Sequence, residues 1–201
     1  MAFTTRCLPS LADCWRGLLA FALICGLAGT AAAGDARVRE AVVVATPHGY
    51  GLDAALDVAL NNTLVDALER GVHLHFVLEL EINRPRGWWW FDEGIAQPER
   101  KMRLYYHLLL RRFVVETGYT TRTVASLAEA LEQLGRVDDW QILERGELKT
   151  GRRYNARLRL RLDTAMLPKA LSIGAVTGDK WTLVSPWYAW SFAAPALPPQ
   201  P

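Results

Sequence analysis

The sequence predicts an α+β domain made mostly of antiparallel β-sheet, sandwich-like, with two short helices, carried behind an N-terminal signal peptide. Three observations predict it. Residues 72–83 and 154–163 alternate apolar and polar side chains with the period of a half-buried strand. Only residues 63–70 and 126–134 carry helix-start and helix-stop residues around a short apolar face. Strands and helices do not alternate one for one, as a parallel α/β sheet would require.

Composition agrees with one folded domain. The chain has 201 residues, 51% of them hydrophobic and 22% charged, and a mean hydropathy of +0.04. That is enough apolar material for a packed core and excludes wholesale disorder. A net charge of +2 is too small for a nucleic-acid binder that relies on bulk charge.

The N-terminus reads as an address. Arg6 and Arg16 precede an uncharged run, residues 17–34, with an apolar centre at 18–24 and the small residues Ala31, Ala32 and Ala33 at its end. This is the pattern of a Sec-type signal peptide cleaved between Ala33 and Gly34. The strongly apolar part is about half the ~20 residues a spanning helix needs, so no stable membrane span is expected after processing. Cys7, Cys14 and Cys25 all fall in this segment, which leaves no disulfide, thiolate nucleophile or Cys-based zinc site for the processed chain. The bulky Leu23-Ile24 before Cys25 argues against lipidation, and no Arg-Arg pair marks the twin-arginine route. The expected divisions are a signal peptide at 1–33, one β-rich domain at 34–192 and a loose Pro-rich tail at 193–201.

Along the domain, residues 37–46 are rich in β-branched side chains and stop at Pro47, which predicts a strand. Residues 50–60 fit both a strand alternation and a helical face; Asn61-Asn62 then supplies an N-cap, favouring a strand to Leu60 and a helix at 63–70 closed by Gly71. In 72–83, Leu74, Phe76, Leu78, Leu80 and Ile82 share one face, and His73, His75, Glu79 and Glu81 the other. Two strand-like pieces follow within 100–117. Ser126 and Glu129 make a capping box for the second helix, which Gly135 closes. In 154–163, Ala156, Leu158, Leu160 and Leu162 point inward and Arg157, Arg159 and Arg161 outward. Strands at 172–176 and 181–192 complete the set.

Four constellations are candidates for chemistry. Gly49-Tyr50-Gly51-Leu52-Asp53-Ala54 spells G-x-G-x-x-A after a strand, with Glu79 or Glu81 about where a ribose-binding acid would belong. The export signal, the lack of further β-α units and the strand alternation speak against dinucleotide binding. His73 and His75 have the H-x-H spacing some metal sites use, but a third ligand is not legible and a solvated strand face explains them as well. Residues 84–92, R-P-R-G-W-W-W-F-D, would if extended put Arg84, Arg86, Trp88 and Trp90 on one face with Asp92. That face could stack guanidinium groups on indoles and hold a sugar, peptide or aromatic ligand, against the plainer reading that the tryptophans fill core. The arginine row at 157, 159 and 161 could meet an anionic partner, although charged faces also keep strands from pairing promiscuously. Hydrolase and phosphate-loop signatures are missing, no catalytic residue stands out and no cofactor is called for.

The chain resembles a bacterial exported family known as domain of unknown function 4390. The resemblance rests on Leu68-Glu69-Arg70-Gly71-Val72 with Leu74 and Phe76; on Arg84, Arg86, Trp88-Trp89-Trp90 and Asp92; and on Leu104, Tyr106-His107 and Leu109. It continues through Leu127, Ala130-Leu131, Tyr154, Arg159-Leu160, Leu162-Asp163 and Leu167-Pro168-Lys169 to Trp181, Ser185 and Trp187. His73 departs from the proline expected after Gly-Val, and His75 stands where an aromatic is usual, which weakens an H-x-H site as a family feature. The resemblance implies a periplasmic or secreted protein, with genes often set beside a two-component sensor kinase. The expectation is a non-enzymatic binding or accessory domain for an envelope protein or small ligand, with Arg84, Arg86, Trp88 and Trp90 as its surface. The alternative is a metal- or carboxylate-dependent periplasmic hydrolase acting on an envelope or sugar substrate.

Overall fold

The computed structural model describes residues 35–85, 92–168 and 179–199. The cleavage site at Ala33 and Gly34, the side chains of Arg86, Trp88 and Trp90, and the strand expected at 172–176 lie outside the described residues. The described residues all belong to one compact unit.

The chain opens with an antiparallel hairpin of β1 (Asp35–Thr46) and β2 (Gly49–Ala59), to which β8 (Arg136–Glu144) adds as a third strand. Along β1 the inward set is Ala36 and Val38, then Ala41 and Val43. The change of phase falls at a β-bulge between Val38 and Glu40, because one extra residue inverts the two-residue alternation. On β2, Tyr50, Leu52, Ala54 and Leu56 are buried, so strand periodicity prevails over the helical reading. The two glycines of the G-x-G-x-x-A segment serve this small sheet rather than a cofactor loop. Gly49 has φ +148° and a Cβ there would run into the Leu143 carbonyl oxygen of β8, while one at Gly51 would stand 3.0 Å from the Thr46 methyl.

Helix α1 (Asn62–Glu69) carries the chain to the second sheet. Asn61 is its N-cap, its side chain accepting from Leu64 N at 2.9 Å, and Gly71 at φ +85° ends it, donating to the Leu68 carbonyl. Next come β3 (Leu74–Arg84), β4 (Glu93–Ala96), β5 (Glu99–His107), β6 (Arg112–Thr117) and β7 (Thr120–Val124). Helix α2 (Leu127–Gly135) returns the chain to β8, and β9 (Arg153–Leu162) and β10 (Tyr188–Ala193) rejoin the large sheet. That sheet runs β10-β9-β3-β5-β6-β7, with β4 paired to the far end of β3. Both sheets are antiparallel throughout.

One hydrophobic core joins the inner faces of both sheets and the two helices. Leu74, Phe76, Leu78, Leu80 and Ile82 of β3 meet Leu158, Leu160 and Leu162 of β9 and Met102 and Leu104 of β5 on that face, all at most 4% exposed. Each such side chain contributes roughly 1.5–3 kcal/mol through removal from water. The alternation read from 72–83 and 154–163 therefore orients the two central strands correctly.

Elsewhere tertiary structure overrides the local reading. The strand expected at 181–192 is divided: a 3-10 turn ends at Trp181, Val184 makes an isolated bridge to Arg161, and β10 begins only at Tyr188. Pro186 is the cause, because it has no N–H to give the ladder. Ser185 fills the gap, its buried hydroxyl accepting from Leu160 N at 3.0 Å and its own N–H reaching the Leu160 carbonyl at 2.8 Å. Gly135 closes α2 for a reason other than a left-handed cap: a Cβ there would collide with the Leu56 carbonyl oxygen of β2. After β10 the chain keeps contact with the domain. Ala194 is 2% exposed, exchanges hydrogen bonds with Gly151 and Arg152, and the Pro198 carbonyl accepts from Arg145.

Candidate functional site

The outer face of the large sheet carries the residues singled out from sequence. Cross-strand register sets Glu79 opposite Arg159 and Glu81 opposite Arg157. Arg159 donates to Glu79 at 2.5 Å, Arg161 hydrogen-bonds the other Glu79 oxygen, and Arg157 reaches Glu81 at 2.6 Å. Burial alone would raise the Glu79 carboxyl, but hydrogen bonds and charge from Arg161 and Arg159 outweigh it and hold the group below its ordinary value. The arginine row is thus largely neutralised within the sheet. It is also roofed: the Trp187 ring lies 4.5 Å from the Arg157 guanidinium carbon and 4.3 Å from that of Arg159. Ser185 and Pro186, by pinning the segment just before it to β9, fix where that indole sits.

A stacked cation–indole arrangement therefore exists here, but on residues other than those first expected. Arg84 is engaged by its cross-strand partner Glu93, and Arg86, Trp88 and Trp90 lie outside the described residues. Trp187 carried no spacing signal of its own; only its place beside Ser185 in the family resemblance pointed to it.

The end of β3, Asp92, β9 and β10 border an open groove of about 440 Å³. Asn83 and Asn155 are register partners there. Ser191 Oγ donates to Asn155 Oδ1 at 2.8 Å, and Asn155 Nδ2 donates to Asp92 Oδ2 at 3.3 Å. Arg157 and Trp190 also line it, and the Trp190 indole N–H is buried with no hydrogen-bond partner among the described residues. The groove thus offers a carboxylate, an amide, a hydroxyl and a guanidinium within one volume, a set suited to a hydrogen-bonding ligand.

His73 and His75 do lie on the same outer face, at the opposite end of β3. His73 stacks on Tyr105 with ring centroids 4.5 Å apart, and Arg103, paired with Glu116, is the cross-strand partner of His75. Burial first, and then the Arg103 charge, lower both imidazole pKa values from 6.5. Among the described residues no three His, Cys, Asp or Glu side chains are grouped closely enough to hold a metal ion. No described helix is long and apolar enough to cross a membrane.

A larger cleft of about 900 Å³ lies between the exposed side of the small sheet and α2, around Val42, Val44, Ala55 and Leu131. Of its rim charges, Arg39 is paired with Asp57 at 3.1 Å and Arg136 with Glu132 at 3.2 Å.

No curated protein and no solved structure matches this chain. The model of a family described as a domain of unknown function, DUF4390, matches residues 33–191. That span takes in both sheets up to Ser191 in β10, the Ser185–Trp187 segment and all the groove residues but none of the signal-like run before Ala33, and the chain belongs to that family.

Proposed function

We propose that the chain is an exported, periplasmic domain that binds rather than catalyses, taking a polar ligand or an envelope partner in the groove formed by Asp92, Asn155, Arg157 and Ser191, as an accessory to a membrane-bound two-component sensor. One observation carries the binding reading: four different polar functions converge on one 440 Å³ groove beside a buried indole N–H that has no partner among the described residues. The export reading rests on the charged, apolar and small-residue order of residues 1–33. The sensor link rests on the gene setting that the family resemblance implies.

The test is native mass spectrometry of the protein from its host periplasm, joined to photo-cross-linking from position 191 in intact cells. A mass beginning at Gly34 supports export, and one carrying all 201 residues overturns it. A bound small molecule, or an adduct with one envelope protein that Asn155→Ala abolishes, supports the groove. A bare monomer with no adduct overturns it. Turnover of an envelope substrate that Asp92→Asn abolishes would replace binding by catalysis.

A further inference from the structure

Far from that groove, towards the other edge of the large sheet, an arginine faces inward. Residues at even positions on β5 point to the core, as the buried Met102 and Leu104 show, and Arg100 continues that phase at the start of the strand. Its Nη1 is buried with no hydrogen-bond partner among the described residues. On the same inner side, Arg122 of β7 stands opposite the buried Val115, and Arg136 enters from the start of β8. The three arginines line a partly open cavity of about 200 Å³ with Thr117, Gln133 and the carboxylate Asp138, Arg122 and Arg136 standing at its exposed mouth.

The charge there is unbalanced. Asp138 acts on Arg100 from beyond ion-pair distance, and burial lowers the Arg100 pKa. Arg136 is held by the exposed Glu132 at 3.2 Å, while Arg122 has no carboxylate partner among the described residues. A buried guanidinium nitrogen without an acceptor costs about 1–3 kcal/mol or more. Arg100 is half-buried on an inward-facing phase where Met102 and Leu104 put apolar side chains.

We infer that this cavity is a binding site for a small oxyanion, a phosphate or carboxylate group held between Arg100 and Arg122 with Thr117 and Gln133 as neutral donors. The planar fork of arginine matches paired anionic oxygens. A volume of about 200 Å³ is below the roughly 300 Å³ at which organic ligand pockets begin, so the site takes an anionic group rather than a whole large ligand. The site is independent of the groove and stands or falls by itself.

Thermal unfolding of the purified protein, titrated with inorganic phosphate and separately with acetate at constant ionic strength, tests this. A saturable rise in Tm is expected with at least one of them, about 3–6 °C at tenfold the Kd. Arg122→Gln, an exposed change, should abolish the rise and leave the anion-free Tm unchanged. Arg100→Met should also abolish it while holding or raising the anion-free Tm, which a merely structural arginine would not do. A rise with phosphate alone identifies a phosphate site, and one with acetate alone a carboxylate site. No rise with either anion, or the same rise in Arg122→Gln as in the parent, overturns the inference, the latter being the general effect of an excluded salt.

Discussion

Glu79 and Arg159 are direct cross-strand partners in the β3–β9 ladder, and their side chains meet at 2.5 Å with Arg161 bound to the other carboxylate oxygen. The Glu79 side chain is only 14% exposed. One carboxylate thus separates two guanidinium groups that would otherwise repel each other.

Glu79→Ala should therefore destabilise the domain by about 1–3 kcal/mol, more than an exposed ion pair is worth, because two partly buried cations lose their acceptor. The urea midpoint measures this, with Glu81→Ala as the milder comparison. The sign with pH follows. Glu79 has a depressed pKa, so its contribution is fully present above its unfolded value and is lost as pH falls through its lower folded value.

The two histidines give a second pH dependence in a different window. Their folded pKa values lie below 6.5, so the unfolded chain binds more protons once pH drops beneath that value. Stability should be complete above pH 6.5 and decline as pH falls towards the folded values. In the His73→Gln/His75→Gln variant, unfolding midpoints measured between pH 5 and 7 should show a shallower slope.

Gly135→Ala would ordinarily strengthen a helix, but here the new methyl meets the Leu56 carbonyl oxygen. A net loss of about 1–3 kcal/mol is expected, since the obstacle is backbone. At Gly118, with φ +57° and nothing within 4 Å of the added Cβ, alanine should cost about 1–2 kcal/mol from the left-handed backbone alone. Calorimetry separates the causes, because Asn at 118 should recover part of the loss and Asn at 135 none.

Asn61 both caps α1 and donates from Nδ2 to the Lys180 carbonyl at 2.8 Å. Asn61→Ala should lower stability by about 1–2 kcal/mol. Asn61→Asp, which keeps the cap and removes the donor, should fall between the two in chemical denaturation.

Leu109, at the β5–β6 turn, is 91% exposed, and Leu108 and Leu110 are 59% and 61% exposed. Leu109→Ser should change stability by less than about 0.5 kcal/mol in chemical denaturation, unlike Leu78→Ala in the core, for which about 2–5 kcal/mol is expected.

The strands that sequence reading located are those whose inward and outward phases run unbroken. β3 and β9 show this best, and the capped helices were legible for an equally local reason: Asn61 and Ser126 bond the first turn of their own helices. The strands it passed over break that phase. β8 bends at Asp139, with φ +47° and its N–H held by Asp53 at 2.9 Å, so Val137, Ile142 and Leu143 do not alternate. β7 is a mostly exposed edge and β4 has four residues, too little burial to mark a face. Of the site, Asp92 and the arginine row were visible and Trp187 only through the family resemblance, whereas Asn155 and Ser191 were not, because each acquires its role from a partner distant along the chain.

By itself the sequence determined the mostly antiparallel class, the two helices and the inward faces of the central strands, since alternation and capping are properties of neighbouring residues. Tertiary structure alone decided that Glu79 neutralises Arg159 and Arg161 some 80 residues away, that Trp187 covers Arg157 and Arg159, and that Arg100 is turned inward to line one cavity with Arg122. Those pairings depend on register and on which layer covers which face. Both are set when the core as a whole packs, and no local pattern encodes them.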